Sequence, residues 1–361
     1  MSSRLYQLTL LLSCVHCSAI AATRPAATAV ASALQATLWQ PGCISSAAQE
    51  TSVALHPHGH RAWFMRGDFS STRGTVLEAR LDSQDPQRCD LRIAGFSGRW
   101  RDSEPHLSAD GRRLYFVSNR PLRAGGPPVV AEWNGRRFPG AQLWFVALDA
   151  HGEPTGPAQR VGGAANQVPM VYNPSTTANG DLYFSSHRPD SGPGYQIYRA
   201  LWNAKDGAHG EIERLDLGPI ERNRMDPAIS PDGRLLVYAG DEGDSQGAAD
   251  LYAVWRTADG GWSAPRHLPA PVNSAWLENA PGWGEEDGVL YFSSARPAAA
   301  DPAARPETLR SLEALEQSLR DPLNGSRNLW RVDLRDWLRA HEASRSTVRR
   351  DHHAAPQRPQ R

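Results

Sequence analysis

Charge imbalance is the first thing the 361-residue chain lacks: Lys and Arg together number 39, and so do Asp and Glu. A balanced chain has no basic excess for a nucleic-acid backbone and no acidic excess for a solvating tail, so no nucleic-acid partner is expected. Lysine is almost missing, Lys205 standing isolated among arginines. Long apolar runs are missing too. Past the first twenty residues no stretch reaches the roughly 18 apolar residues of a spanning helix, so no transmembrane span is expected. Several linear patterns are absent: there is no phosphate-cradling Gly-rich loop, no His-Glu-x-x-His and no zinc-finger spacing, so no cofactor and no metal are expected. His56, His58 and His60 alternate around Pro57 and Gly59, but no Cys, Asp or Glu completes a ligand set at recognisable spacing. An enzyme that gathers its residues from distant parts of the chain stays open.

Cysteine is scarce as well, at Cys14, Cys17, Cys43 and Cys89. Arg4, the apolar run from Leu5 to Ile20 and the small-x-small site Ala19-Ile20-Ala21 read as a secretory signal peptide over residues 1–21. The competing reading takes Leu11-Leu12-Ser13-Cys14 as a lipobox and tethers the protein to a membrane. Removal of the leader leaves Cys43 and Cys89 in an oxidising compartment, where a disulfide is the default and two unpaired buried cysteines the alternative. Residues 22–338 are expected to form one domain, and 339–361, rich in Arg, Pro and Gln, a disordered tail that includes His352-His353.

What the chain does have is an internal repeat. Glu104 to Gly111 leads into Leu114-Tyr115-Phe116, Asn173 to Gly180 into Leu182-Tyr183-Phe184, Asp226 to Gly233 into Leu236-Val237-Tyr238, and Ala280 to Gly288 into Leu290-Tyr291-Phe292. A weaker copy runs from Leu55 through Gly59 into Ala62-Trp63-Phe64. The turn glycines are spaced 52, 69, 53 and 55 residues apart, close to the period of a propeller blade. Each Gly supplies positive φ to a tight hairpin, and the aromatic and β-branched run behind it is a buried strand. Third strands follow at Val76-Leu77, Leu143-Trp144, Ile197-Tyr198, Leu251-Tyr252 and Leu329-Trp330. Fourth strands follow around Leu91-Arg92-Ile93, Gln159-Arg160-Val161, Glu213-Arg214-Leu215 and Arg266-His267-Leu268. The fifth unit lacks its last strand because Leu334 to Ala340 reads as helix, and Ala36-Thr37-Leu38-Trp39 has the character to replace it. The expected fold is all-β: a single β-propeller of about five four-stranded blades, its ring closed by an N-terminal strand.

The Asp-Pro-x-x-Ser-Pro-Asp-Gly-Arg unit at 226–234 and the Tyr-Phe-x-Ser-x-Arg-Pro endings at 115–121, 183–189 and 291–297 resemble the WD40-like repeat of TolB-like β-propellers. The resemblance covers roughly residues 50–335 and implies the architecture. The Tol-system protein carries an α/β domain before a six-bladed propeller, for which residues 22–50 are too few, so its role is not carried over.

In a propeller, the loops entering the innermost strands and those joining second to third strands share one face around the channel mouth. That face should gather Glu104, Asn173, Asp226 and Asn279 from the first set. Arg66, Asp68, Asn119, Arg120, His187, Arg188, Asp241, Glu242 and Arg296 should come from the second. As a ligand site, Arg120, Arg188 and Arg296 would offer planar forks to carboxylates. The alternative is that each Arg ties its own loop to a nearby acidic group. Residues 121–141, with Trp133, and 297–327, with Leu309, Leu312, Leu315 and Leu319 at helical spacing behind Pro306, should form rims or lids. The Leu stripe is expected to pack on the propeller itself. The composite expectation is a recognition scaffold of the bacterial cell envelope, binding an envelope protein or a small polar ligand or glycan. Its rivals are a lipid-tethered subunit of a larger complex and a propeller enzyme, a glycoside hydrolase or lyase, that pairs Asp226 with Glu104 or Glu278.

Overall fold

Among the described residues, twenty strands carry the chain around a ring and two more form a side hairpin. The computed structural model describes residues 34–57, 60–69, 72–82, 85, 88–298 and 311–342. The expected leader at 1–21, together with His58, Gly59, Pro306, Leu309 and everything from 343 onward, lies outside the described residues.

Ala36–Leu38 (β1) comes first and waits for the end of the chain. Blade one is Gln49–Leu55 (β2), Arg61–Gly67 (β3), Gly74–Leu81 (β4) and Cys89–Ile93 (β5). Blade two is Asp102–Leu107 (β6), Arg113–Ser118 (β7), Gln142–Ala147 (β10) and Gln159–Arg160 (β11), with a side hairpin of Val130–Trp133 (β8) and Arg136–Pro139 (β9) between its second and third strands. Blade three is Val171–Thr176 (β12), Leu182–Ser186 (β13), Gln196–Asn203 (β14) and Ala208–Arg214 (β15). Blade four is Arg224–Ile229 (β16), Leu235–Gly240 (β17), Asp250–Trp255 (β18) and Arg266–His267 (β19). Blade five is Glu278–Trp283 (β20), Val289–Ser294 (β21) and Asn328–Asp333 (β22). β1 completes it as outermost strand, antiparallel to β22 with Ala36 opposite Val332. The fold is therefore the expected five-bladed propeller.

Each second strand is buried on both sides because it stands between two blades. Along β7, Leu114 and Phe116 join the apolar wedge between blades one and two, while Tyr115 and Val117 join the wedge between blades two and three. The period-2 alternation of a strand sends neighbouring residues to opposite wedges, which is why these runs read as continuously apolar. Five such wedges make the core, one per blade junction. The hairpin turns are stitched by side chains: Ser108 Oγ donates to Asp110 Oδ1 at 2.6 Å, which also accepts Arg112 N at 3.0 Å, and Gly111 takes φ 70°. Ser230, Asp232, Gly233 and Arg234 repeat this turn in blade four.

The ring seam has its own fastening. Cys43, in the connector between β1 and β2, is disulfide-bonded to Cys89 on the outer strand of blade one, with Cα atoms 6.1 Å apart, a bridging separation. Ile44 is fully buried beside Val289, Tyr291 and Leu329 of blade five and Phe64 of blade one. The helical turn expected after β22 occupies 335–342, where Trp337 and His341 stack on Trp255.

The helix α1 (Leu312–Arg320) departs from expectation. Ser311 caps it by accepting Ala314 N, but none of its residues is buried, and Leu312, Leu315 and Leu319 face outward. A nine-residue helix held by its ends, with Asn324 Nδ2 bonding Leu319 O and Ala47 O, stands off the blades instead of lying on them.

Candidate binding site in the central channel

Every innermost strand breaks its ladder at the same place. Ser52, Glu104, Asn173, Asp226 and Ala280 sit one per blade at a register shift, all with φ between 47° and 56°. In blades two to five a proline follows immediately: Pro105, Pro174, Pro227 and Pro281. A bulge turns side chains out of the ladder and re-aims them; here it makes a waist around the channel axis. Backbone strain of this kind is sustained only where surrounding bonds hold it. Glu104 Oε2 accepts the backbone N–H of Asn173 at 2.7 Å, and Asp226 Oδ2 accepts Ala280 N at 3.0 Å and Asn279 Nδ2 at 3.2 Å. Each acid thus ties its own blade to the next, and the second oxygen of each makes no hydrogen bond among the described residues.

A cavity of about 190 Å³ opens beside this waist, lined by Glu104, Asp226, Arg101, Arg327, Tyr172 and Tyr195 among others. Burial pushes the Glu104 carboxyl up to about 7, Arg101 pulls against that, and the charge of Asp226 adds to it. Burial also raises Asp226, opposed by its bond from Ala280 N and by Arg327. Burial lowers the Arg327 guanidinium while Asp226 and Glu104 support it. Tyr172 and Tyr195 meet edge to face at 5.7 Å, and both phenols are raised by burial. Trp133 of the β8–β9 hairpin reaches over from blade two to pack against His187 at 5.4 Å and Tyr195 at 5.7 Å. The result is two carboxylates and two guanidiniums under an aromatic wall.

The expected site residues divide. Glu104, Asn173, Asp226 and Asn279 line the cavity, and His187 belongs to its aromatic wall. Asn119 stands behind it: its Oδ1 accepts Arg101 N at 2.9 Å and fixes that residue's backbone. Asp68 and Asp241 accept backbone N–H groups of their own loops. The arginines go inward. Arg120 pairs with buried Asp102 at 2.8 Å between the rings of Phe116 and Trp144, and Arg296 pairs with Glu278 at 3.1 Å between Phe292 and Trp330. Arg66 holds Glu50 at 2.7 Å in blade one. Blade four reverses the pair, with Arg224 on the inner strand and Glu242 in the loop, 2.6 Å apart. In blade three, where Val171 takes the acid's place, Arg188 bonds the carbonyls of Ala164 and Ala165 and lies over Phe184 and Tyr198. Glu278 is thereby spent inside blade five, leaving Glu104 and Asp226 as the carboxylates that line this cavity among the described residues.

Sequence reasoning missed Ser52, Arg101, Tyr172, Tyr195 and Arg327. Ser52 could have been found by counting back from the hairpin to the bulge in the weak first copy. Nothing local marks the others. Among the described residues no three His, Cys, Asp or Glu side chains come together as a metal site, and no helix is long and apolar enough to cross a membrane.

No protein-family model matches the chain, and no curated protein matches it. Among solved structures it is similar to a putative TolB from Agrobacterium tumefaciens, with 15% identity over 73% of this chain and 74% of that one and a TM-score of 0.42. It is similar to an acylaminoacyl peptidase at 16% identity and TM-score 0.36, with 69% of this chain covered, and spans only 36% of that protein. It is also similar to an α-L-arabinofuranosidase from Lactobacillus brevis, at 11% identity over 81% of this chain and 91% of that one, with a TM-score of 0.49. These likenesses concern the fold.

Proposed function

We propose that the protein is a recognition propeller of an oxidising, extracytoplasmic compartment whose central channel takes a small, uncharged, hydroxyl-rich ligand of the saccharide class. The observation that carries this reading is the composition of one cavity: Glu104 and Asp226 as acceptors, Arg101 and Arg327 as donors, Tyr172 and Tyr195 as wall. A ligand with one charge meets as much repulsion as attraction there. A polyol both donates to the carboxylates and accepts from the guanidiniums, and bonds to charged groups are the stronger kind. Aromatic walls suit the apolar faces of a sugar ring. The Cys43–Cys89 disulfide accords with the compartment.

Glu104 favours a second reading. A carboxyl pushed to about 7 by burial can donate a proton near neutral pH, and with the Asp226 carboxyl in the same cavity the pair resembles the acid and base of a glycoside hydrolase. Calorimetry with a panel of mono- and disaccharides tests the first reading. Binding that falls at least tenfold in Asp226→Asn and is unchanged in Arg73→Ala supports it, and a folded protein that binds no saccharide overturns it. Release of nitrophenol from aryl glycosides, declining as pH rises through about 7 and abolished in Glu104→Gln, would convert recognition into catalysis.

A further inference from the structure

The channel has a second half. Beyond the waist, toward the hairpin turns, lies a vestibule of about 460 Å³. It shares Ser52, Glu104 and Asn173 with the polar cavity, so the two spaces abut at the ring of bulges. Its lining is of another kind: Pro105, Pro174, Pro227 and Pro281 surround it with Leu107 and Trp283. The same dipeptides therefore build both media. In Glu104-Pro105, Asn173-Pro174 and Asp226-Pro227 the first residue lines the polar cavity and the second lines the vestibule.

Of the vestibule's polar side chains, His106 and Thr176 bond each other, and Glu285 is exposed. Burial lowers His106 to about 4. Its Nε2 accepts Thr176 N at 2.9 Å and lies 2.9 Å from Thr176 Oγ1. At the waist the opposite holds. Ser52 Oγ and Asn279 Oδ1 are buried without a hydrogen-bond partner among the described residues, a costly state unless a ligand relieves it. The polar cavity alone is smaller than an ordinary ligand pocket; joined to the vestibule it falls within the usual range of about 300–1,000 Å³.

We infer that the channel binds an amphiphile: an uncharged polyol head at the waist, bonded by Ser52, Glu104 and Asp226, with an alkyl chain running into the proline-lined vestibule. This rests on the polar cavity being a saccharide site and adds the class of molecule that carries the saccharide. A vestibule built for a peptide or a second copy of the chain would not need to continue into a cavity of charged hydroxyl-binding groups.

The test is calorimetry with n-alkyl β-glucosides from methyl to octyl, each below its micellar concentration, alongside 1-octanol. The expected result is an affinity that rises roughly fourfold per added methylene, the equivalent of about 0.8 kcal/mol. Trp283 emission should shift as the chain lengthens. Asp226→Asn should weaken all glucosides alike, whereas Ala178→Glu at the vestibule rim should remove the chain-length dependence and leave methyl glucoside unaffected. Three outcomes overturn the inference. Affinity flat from methyl to octyl would leave a plain saccharide site. Octanol binding as tightly as octyl glucoside would leave an apolar pocket with no role for the head. No glucoside binding to folded protein would remove the saccharide reading along with it.

Discussion

Removing the guanidinium of Arg120 strands a carboxylate. Asp102 is fully buried, and burial already raises its pKa while Arg120 holds it down. Truncating one partner of such a pair costs about 3–5 kcal/mol. The reversed pair in blade four supplies a sharper test than deletion, because Arg224 and Glu242 show that the geometry accepts either polarity. Glu278→Arg and Arg296→Glu, each destabilising alone by about that amount, should together recover most of the loss in thermal unfolding. A ligand-binding role for Arg296 predicts no such rescue. The residues of this pairing were legible in the sequence as a recurrent Arg before Pro, but not their direction: a repeat shows which side chains are equivalent, not whether they face the channel or the blade.

The β8–β9 hairpin is an insertion whose purpose is visible only across a blade boundary. Asn134 and Gly135 take φ 50° and 71°, the left-handed pair of a two-residue hairpin. That Asn-Gly signal stands plainly inside what reads as a long loop. What it does not reveal is that Trp133 lands on His187 and Tyr195, because those contacts join elements more than fifty residues apart. Trp133→Ala should therefore lower saccharide affinity roughly fivefold, on the scale of an aromatic contact of about 1 kcal/mol, while the unfolding midpoint barely moves, the hairpin being outside the blade wedges. Loss of stability equal to loss of binding would make the hairpin a structural prop. The α1 helix illustrates the converse: its Leu spacing correctly announced a helix, but spacing says which face is apolar and not whether anything covers it.

At the scale of the molecule, ring closure concentrates on one seam, where β1 zips onto β22 and the disulfide pins the connector to blade one. A bond closing a loop of this length constrains the unfolded chain by about 4 kcal/mol. Cys43→Ser/Cys89→Ser protein, or wild type under reductant, should lose unfolding free energy of about that size, read as a lower midpoint in denaturant titrations; an unchanged midpoint would mean that the seam holds by strand pairing alone. The blade count and the closing strand were legible because each blade repeats the same turn and the same double-faced strand. The channel was only half legible. Its acids stand at repeat positions, but Arg101 and Arg327 enter from linkers that follow no repeat, and convergence on an axis is a property of the closed ring.

The strand that shuts the ring is the earliest part of the propeller to be synthesised, and its partner β22 is nearly the last. Until that partner emerges, the chain is an open arc with an unpaired edge at its growing end, and no channel exists for any ligand to enter. The site is therefore complete only once the two ends have met.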